Sequence, residues 1–215
     1  MKKSIAVLGL GKYGMSLAHA LSDLGVDVLA VDKEEALVKE AAEFCTAAIC
    51  AELIKEENLK TLGLKDMDVV VVAIGRNLEA SIISVMVSKE LGVPTVVAKS
   101  TSDRMTSILQ RIGADKVIMP EEYAGKRSAT ILASQSVLDY FQVDKNLCMV
   151  EIKPFENWIG KTLTELNMRN SLEINVVAVK ENESCWSLAS PDKPLQEDNK
   201  LLVVLEEQNL NRLIN

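Results

Sequence analysis

Aromatic residues make up only 4% of these 215 residues, and histidine occurs once. A core so short of rings is filled by Val, Ile, Leu and Ala, the composition of parallel sheets covered by helices. Cys45, Cys50, Cys148 and Cys185 show no CxxC spacing, which excludes a zinc ribbon or a thioredoxin-type motif. They are expected to be reduced, mostly buried thiols. Basic charge is in deficit: the net charge is -7 and the pI near 4.9. An acidic surface repels phosphate backbones, so no nucleic-acid partner is expected. Long apolar runs are missing as well, since residues 69–74 form the longest stretch and a bilayer span needs about 20 residues. Lys2 and Lys3 precede a strand pattern without an extended apolar region or cleavage site, so a cytosolic location is expected.

The most informative segment comes early. An apolar run over residues 4–8 leads directly into Gly9-Leu10-Gly11-Lys12-Tyr13-Gly14, and a second run over 26–31 ends on Asp32. Strand, glycine-rich turn, helix, strand and acid, with about twenty residues between turn and acid, form the dinucleotide-binding fingerprint. The first glycine permits the tight turn and the second lets the backbone approach a phosphate. The third lets the helix pack against the sheet. Phosphate oxygens would meet the free N–H groups at the positive end of the helix that starts near Lys12. Asp32 would accept hydrogen bonds from a ribose diol and repel a 2′-phosphate, which makes NADP the least favoured nucleotide.

Strand and helix signals then alternate. Leu17, Leu21 and Leu24 give the first helix an apolar stripe, and Gly25 stops it. The pattern predicts a second helix over 32–44, a short strand over 46–50, a charged helix over 52–62 and a central strand over 69–74. A helix capped by Asn77 runs to Leu91, followed by a strand over 93–98, a helix over 101–112 and a strand over 116–119. The fold class is α/β: a Rossmann-like, doubly wound parallel sheet that binds nucleotide at its carboxyl edge. Gly75 and Arg76 would line the wall opposite Asp32, with Lys99 at the end of the fifth strand.

After Pro120, residues 121–141 read as one long helix, with Ile131, Leu132, Leu138 and Phe141 at apolar positions. It is too long for an ordinary crossover and is expected to leave the first domain and pack on a partner. A short linker over 142–146 follows. Residues 147–215 then read as strand 147–153, short helix 162–168, strand 174–180, a turn at 181–182, strand 184–188, strand 201–205 and a terminal helix. This small α+β lobe lies near the size limit for independent stability, which dimerisation would relieve. The expected organisation is a nucleotide-binding domain with its crossover helix at 1–141 and a C-terminal lobe at 147–215.

A dehydrogenase needs a group that moves a proton as the hydride moves. The single histidine, His19, falls inside the first helix, and the C-terminal lobe offers no His and no clustered acids at metal spacing. Cys148 and Cys185 fall in strand patterns and read as core. Nucleotide binding without chemistry fits better, with the nucleotide acting as a signal.

Residues 5–14, Leu29-Ala30-Val31-Asp32, Val72-Ala73-Ile74-Gly75 and residues 112–121 resemble the N-terminal RCK domain, the regulator of K⁺ conductance. Gly160-Lys161-Thr162-Leu163 with Leu166 and Arg169, followed by residues 174–179, are similar to an RCK C-lobe. The resemblance covers essentially the whole chain. It implies the cytosolic gating subunit of a Ktr/Trk-type potassium uptake system, a non-enzyme peripheral to the inner face of the cell membrane through its channel or transporter partner. Homodimers closing into an octameric ring are implied, and ring closure satisfies repeated interfaces. ATP, ADP or NAD(H) would lie against Gly9, Gly11, Lys12, Tyr13 and Gly14, with Asp32, Lys33 and Glu52 on the ribose side. Ala73, Ile74, Gly75, Arg76, Lys99 and Glu121 would complete the site.

The resemblance further implies that Glu121 lies near the phosphates at the dimer interface and helps hold a divalent cation. An acid at a helix N-terminus is also favoured by the dipole alone. In the C-lobe, Arg169 with Ile174, Asn175, Val176 and Pro191 matches in type and order a cyclic di-AMP site across a two-fold axis. The same Arg and Asn could simply cap a helix and start a strand. Lys12 stands where such chains often carry Arg and lacks the bidentate fork. Glu52-Leu53-Ile54 replaces a common Asp-Ala-Thr, and Arg76 replaces a small or neutral residue. Two other functions compete: a small NAD-dependent oxidoreductase, opposed by the missing catalytic residues, and a nucleotide-sensing transcriptional regulator, opposed by the acidic charge.

Overall fold

The computed structural model describes residues 2–182 and 185–214. It divides into two compact units, Met1–Glu121 and Glu122–Asn215. In the first unit β1 (Ser4–Leu8), α1 (Lys12–Asp23), β2 (Asp27–Asp32), α2 (Glu35–Ala42), β3 (Ala47–Cys50) and α3 (Glu56–Thr61) come before the central strand. There follow β4 (Val69–Val72), α4 (Leu78–Glu90), β5 (Thr95–Lys99), α5 (Asp103–Arg111) and β6 (Lys116–Ile118). The six strands pair in parallel in the order β3-β2-β1-β4-β5-β6.

Alternate residues of β1 serve opposite faces of the sheet. Ala6 and Leu8 join Leu59, Val85 and Leu109 on one face, while Val7 joins Ala18, Val38 and Ala41 on the other. A strand buried on both faces needs a continuous apolar run, which is why these strands show no alternation. Each fully buried Val or Leu contributes about 1.5–3 kcal/mol, so the two layers hold the sheet edge rigid beneath the site. Two helix starts and one stripe position differ from expectation. Asp32 closes β2 and α2 begins only at Glu35; Leu24 is exposed at the end of the α1 stripe; α3 starts at Glu56 rather than at residue 52.

The second unit corrects the long helix. A single helix, α6 (Pro120–Leu132), ends well before Phe141, and residues Val137–Gln142 form β7. Ser134 donates from Oγ to the Leu213 carbonyl at 3.2 Å and accepts from the Ser136 amide at 3.2 Å, a local side-chain alternative to helical bonding. After it come β8 (Leu147–Ile152), α7 (Leu163–Leu166), α8 (Met168–Ser171), β9 (Ile174–Glu181), β10 (Trp186–Leu188), β11 (Asn199–Glu206) and α9 (Asn211–Ile214). The five strands form an antiparallel sheet in the order β10-β9-β11-β8-β7. Ser184, where the strand over 184–188 was expected to begin, lies outside the described residues.

One face of α6 is fixed to this unit by polar contacts. Tyr123 donates to the Gln142 carbonyl at 2.7 Å. Lys126 pairs with Glu207 at 2.8 Å, and Arg127 makes a bidentate pair with Asp139 at 2.7 and 2.8 Å. Tyr140, buried beside this network, donates to Glu207 at 2.8 Å. No disulfide joins the cysteines among the described residues, and only Cys148 is buried; Cys50 and Cys185 are exposed, against the expectation of mostly buried thiols. Among the described residues no helix is long and apolar enough to cross a membrane.

Candidate functional site

The chain leaves β1 toward β2 and leaves β4 toward β5, so the sheet order reverses between two adjacent central strands. Such a switch point opens a crevice outside the carboxyl ends of the strands. The glycine turn lies there, and its three glycines answer to different constraints. Gly9 has φ +96°, and a Cβ on it would stand 3.2 Å from the Ala73 carbonyl carbon. A Cβ on Gly14 would stand 1.9 Å from the Gly9 carbonyl oxygen, so only glycine lets α1 approach the turn this closely. A Cβ on Gly11 would meet nothing within 4 Å. The protein itself demands two of the glycines, and the third faces open space.

Gly11 caps α1 without a side-chain hydrogen bond, and no acid stands in the helix's first turn. The first N–H groups of a helix lack intrahelical partners and carry its positive end. Left unneutralised beside a glycine that keeps the approach open, they form a seat for an anion.

Asp32 holds the turn itself. Its Oδ2 accepts from the Leu10 amide at 2.6 Å and its Oδ1 from the Glu34 amide at 2.9 Å. A carboxylate oxygen accepts more than one hydrogen bond, so both remain available to a ribose hydroxyl. This second role, tying the glycine turn to the end of β2, carried no signal in the sequence. Lys33 and Glu52 flank Asp32 as exposed residues. Their carbonyls are engaged by the Cys50 thiol at 3.3 Å and the Asn58 amide at 3.0 Å.

Across the crevice, Ala73 and Ile74 pack against Gly9. Ser81 donates to the Ile74 carbonyl at 3.1 Å, and the Asn77 side chain caps α4 through the Ala80 amide at 3.0 Å. These bonds fix the turn that presents Gly75 and the exposed Arg76. Lys99 donates to Glu121 Oε1 at 2.5 Å and lies 5.9 Å from the centre of the Tyr13 ring. Its Nζ would be 3.3 Å from a Cβ on Gly75. The Lys99 ammonium holds the Glu121 carboxyl below the usual carboxylate range, and burial pushes the Tyr13 hydroxyl up. Tyr13, Gly75, Lys99 and Glu121 are thus brought together on one wall, while Lys12 stands exposed at the start of α1.

His19 sits away from this wall's chemistry: it pairs with Asp23 at 3.0 Å, with more than half of its side chain in solvent. No group of three or more His, Cys, Asp or Glu able to hold a metal occurs among the described residues. In the C-terminal unit Arg169 and Asn175 are exposed and Val176 is half-buried. The Pro191 carbonyl accepts from the amide and hydroxyl of Thr164, each at 3.1 Å. Ile174 is 1% exposed inside the core of that unit. Cys185 is exposed, contrary to the core position read from its strand pattern.

The model of the TrkA-N domain matches residues 5–120. The chain belongs to the TrkA-N family. Within this family it is 37% identical to Ktr system potassium uptake protein C of Bacillus subtilis, over 99% of this chain and 96% of the relative. It is 35% identical to Ktr system potassium uptake protein A of Vibrio alginolyticus, over 97% and 94%. The fold of this TrkA-N chain matches a solved structure described as the GsuK channel bound to NAD, with a TM-score of 0.67 and 15% identity. That match covers the whole of this chain and 40% of the channel. The fold is that of an RCK domain: a six-stranded parallel sheet followed by a separate antiparallel lobe. This TrkA-N chain is an RCK regulatory subunit of the Ktr/Trk potassium uptake systems.

Proposed function

We propose that the chain senses adenine nucleotides at the glycine turn and so gates a membrane potassium channel or transporter subunit, without catalysing a reaction. The observation that carries this reading is the uncapped, acid-free start of α1 facing the open side of Gly11, with Asp32 fixed at the end of β2. Phosphates would take the α1 N–H groups and the Lys12 charge, the ribose would take Asp32, and Arg76 and Lys99 would bound the far side. ATP, ADP and NAD(H) share these elements, and the NAD of the GsuK structure belongs to a protein of the same fold. The oxidoreductase reading is not favoured, since His19 is paired on the outer face of α1. The transcriptional reading is opposed by the net charge of -7.

The partner would hold the chain at the inner face of the membrane. Homodimers closing into an octameric ring are part of the proposal, supported by Tyr123, Leu132, Phe141 and Val143, large apolar residues that the second unit leaves exposed. Cyclic di-AMP would bind across the two-fold axis of the C-lobe through Arg169, Ile174, Asn175, Val176 and Pro191. A divalent cation is proposed only with nucleotide present, because Glu121 supplies one carboxylate and such cations need several oxygen donors.

A thermal-shift panel of ATP, ADP, NAD⁺, NADH and cyclic di-AMP tests the reading. A ligand at one hundred times its Kd stabilises by about 2.7 kcal/mol. At least one adenine nucleotide should raise the melting temperature while remaining chemically unchanged. No shift with any of the five, or steady turnover of one, would overturn the proposal.

A further inference from the structure

Three residues other than glycine take a positive φ among the described residues: Asn167, Glu173 and Asn182. Asn adopts this left-handed conformation readily through its short polar side chain. In a longer side chain it is strained, and it persists only where the surroundings impose it. Glu173, at φ +58°, is the one that needs a cause. It is also the whole joint between α8, capped by Leu172, and β9, which begins at Ile174. Both sides of the joint are anchored, since Met168 is 4% exposed and Ile174 1%. The Glu173 carboxylate Oε2 accepts from Asn209 Nδ2 at 2.8 Å and pairs with Arg212 Nη2 at 3.3 Å. Asn209 is buried at the end of the short turn Glu207–Asn209, and Arg212 belongs to α9. Buried Leu210 and Leu213 fix this C-terminal segment in the core, and Asn209 and Arg212 reach back from it to the joint.

We propose that Glu173 is a positioning residue for the C-lobe ligand site and that the C-terminal segment is its clasp. The inference rests on the reading that cyclic di-AMP binds through Arg169 and Asn175, and adds what sets the geometry between them. Arg169 lies in α8 beside the anchor Met168, and Asn175 lies in β9 beside the anchor Ile174; both are exposed. The left-handed backbone at Glu173 fixes the angle between α8 and β9, and with it the spacing of the two ligand residues. Left to itself, a glutamate relaxes to the ordinary α or β region, which swings one residue away from the other. Hydrogen bonds to an ionised carboxylate are strong enough to oppose that relaxation. Coupling between two sites is reciprocal, so a bound ligand tightens α9, and a loosened α9 weakens the ligand.

Calorimetric titration of the whole chain with cyclic di-AMP, comparing Glu173→Ala with Glu173→Gly, tests this. Both variants remove the clasped carboxylate, but only glycine takes a positive φ without strain. In Glu173→Ala the left-handed joint should fall to about a tenth of the population, which raises the apparent Kd about tenfold. Glu173→Gly should stay within about threefold of the unsubstituted chain. Arg212→Met leaves Asn209 in place and should weaken binding about two- to threefold, with no further loss in the Glu173→Gly background. Equal affinities of the Ala and Gly variants would overturn the inference, because loss of the charge alone affects both alike. If Glu173→Ala does not fold, the Arg212→Met arm decides: an equal loss in both backgrounds overturns it. Absence of binding by the unsubstituted chain would instead overturn the cyclic di-AMP reading. Hydrogen exchange over residues 168–175 then decides the clasp alone: Arg212→Met should speed it, and unaltered rates would overturn the clasp.

Discussion

Replacing Gly14 and Gly11 by alanine, one at a time, separates what the glycine turn does for the fold from what it does for a ligand. A methyl at position 14 would lie 1.9 Å from the Gly9 carbonyl oxygen and 3.2 Å from the Ala73 Cβ. Relaxing the first contact to an ordinary 3.4 Å moves α1 off the turn by roughly 1.5 Å, which opens the layer under Ala18 and Val7 and lengthens dispersion contacts. Overpacking of this kind costs about 1–3 kcal/mol. The better helix propensity of alanine returns about 1 kcal/mol. The contact is with backbone, so the upper end of the overpacking cost applies, and the net loss of about 2 kcal/mol should lower the melting temperature by roughly 4–8 °C in a chain of this size.

At position 11 the same methyl meets nothing within 4 Å, and a φ of -60° suits alanine. Stability should change by less than about 0.5 kcal/mol, yet the methyl occupies the approach of a phosphate to the helix start. Adenine-nucleotide affinity should fall about tenfold or more, as one charge-assisted hydrogen bond is lost. Thermal unfolding followed by circular dichroism, with calorimetric titration of each variant, gives both readouts. A Gly14→Ala protein that melts with the parent, or a Gly11→Ala protein that binds as well as the parent, would refute the division of labour.

Other outcomes follow from the same geometry. Asp32→Ala strips the Leu10 and Glu34 amides of their acceptor; it should destabilise the first unit by about 1–3 kcal/mol and weaken every ribose-bearing ligand, and unchanged binding by calorimetry would reject the ribose assignment. Hydrogen bonds from the Val96 amide and Lys89 lower the Asp115 pKa, and the pair with Arg127 lowers that of Asp139. Carboxyls with folded values below their unfolded value of about 3.9 stabilise fully above that pH and lose the contribution as pH falls through the folded value. Urea midpoints should therefore drop below about pH 4, and Asp139→Asn should flatten the drop in the second unit; an unaltered acid limb would count against the pairing. Burial pushes the Cys148 thiol up to about 12, so at pH 8 a thiol reagent should modify exposed Cys50 quickly and Cys148 only after unfolding, as peptide mapping by mass spectrometry would show.

The first unit was legible because its central strands are buried on both faces and four of its five helices end on glycine. Val69–Val72 reads as one uninterrupted run, and Gly25, Gly63, Gly92 and Gly113 all take the positive φ of a helix stop. The glycine turn and Asp32 could be placed at the sheet edge for the same reason: a sharp change from a continuous apolar run to a helical period marks where a strand ends. Two things lay beyond the sequence. The pairing of Lys99 with Glu121 joins the end of β5 to the first turn of α6, which no local pattern encodes. The other is the helix expected over 121–141. In β7 the register shifts between Val137 and Asp139, so Val137 and Tyr140 both reach the core, at 3% and 2% exposure. A bulge adds one residue to the two-residue repeat, and three is also a helical spacing. The bulged strand thus counterfeits a helix continuing from α6. The true stop was present in Ser134-Gln135-Ser136, but its meaning depends on the Leu213 carbonyl, 79 residues away from Ser134. Local pattern decides an element only where its own residues supply the hydrogen bonds; here a distant carbonyl supplies one, and the chain turns.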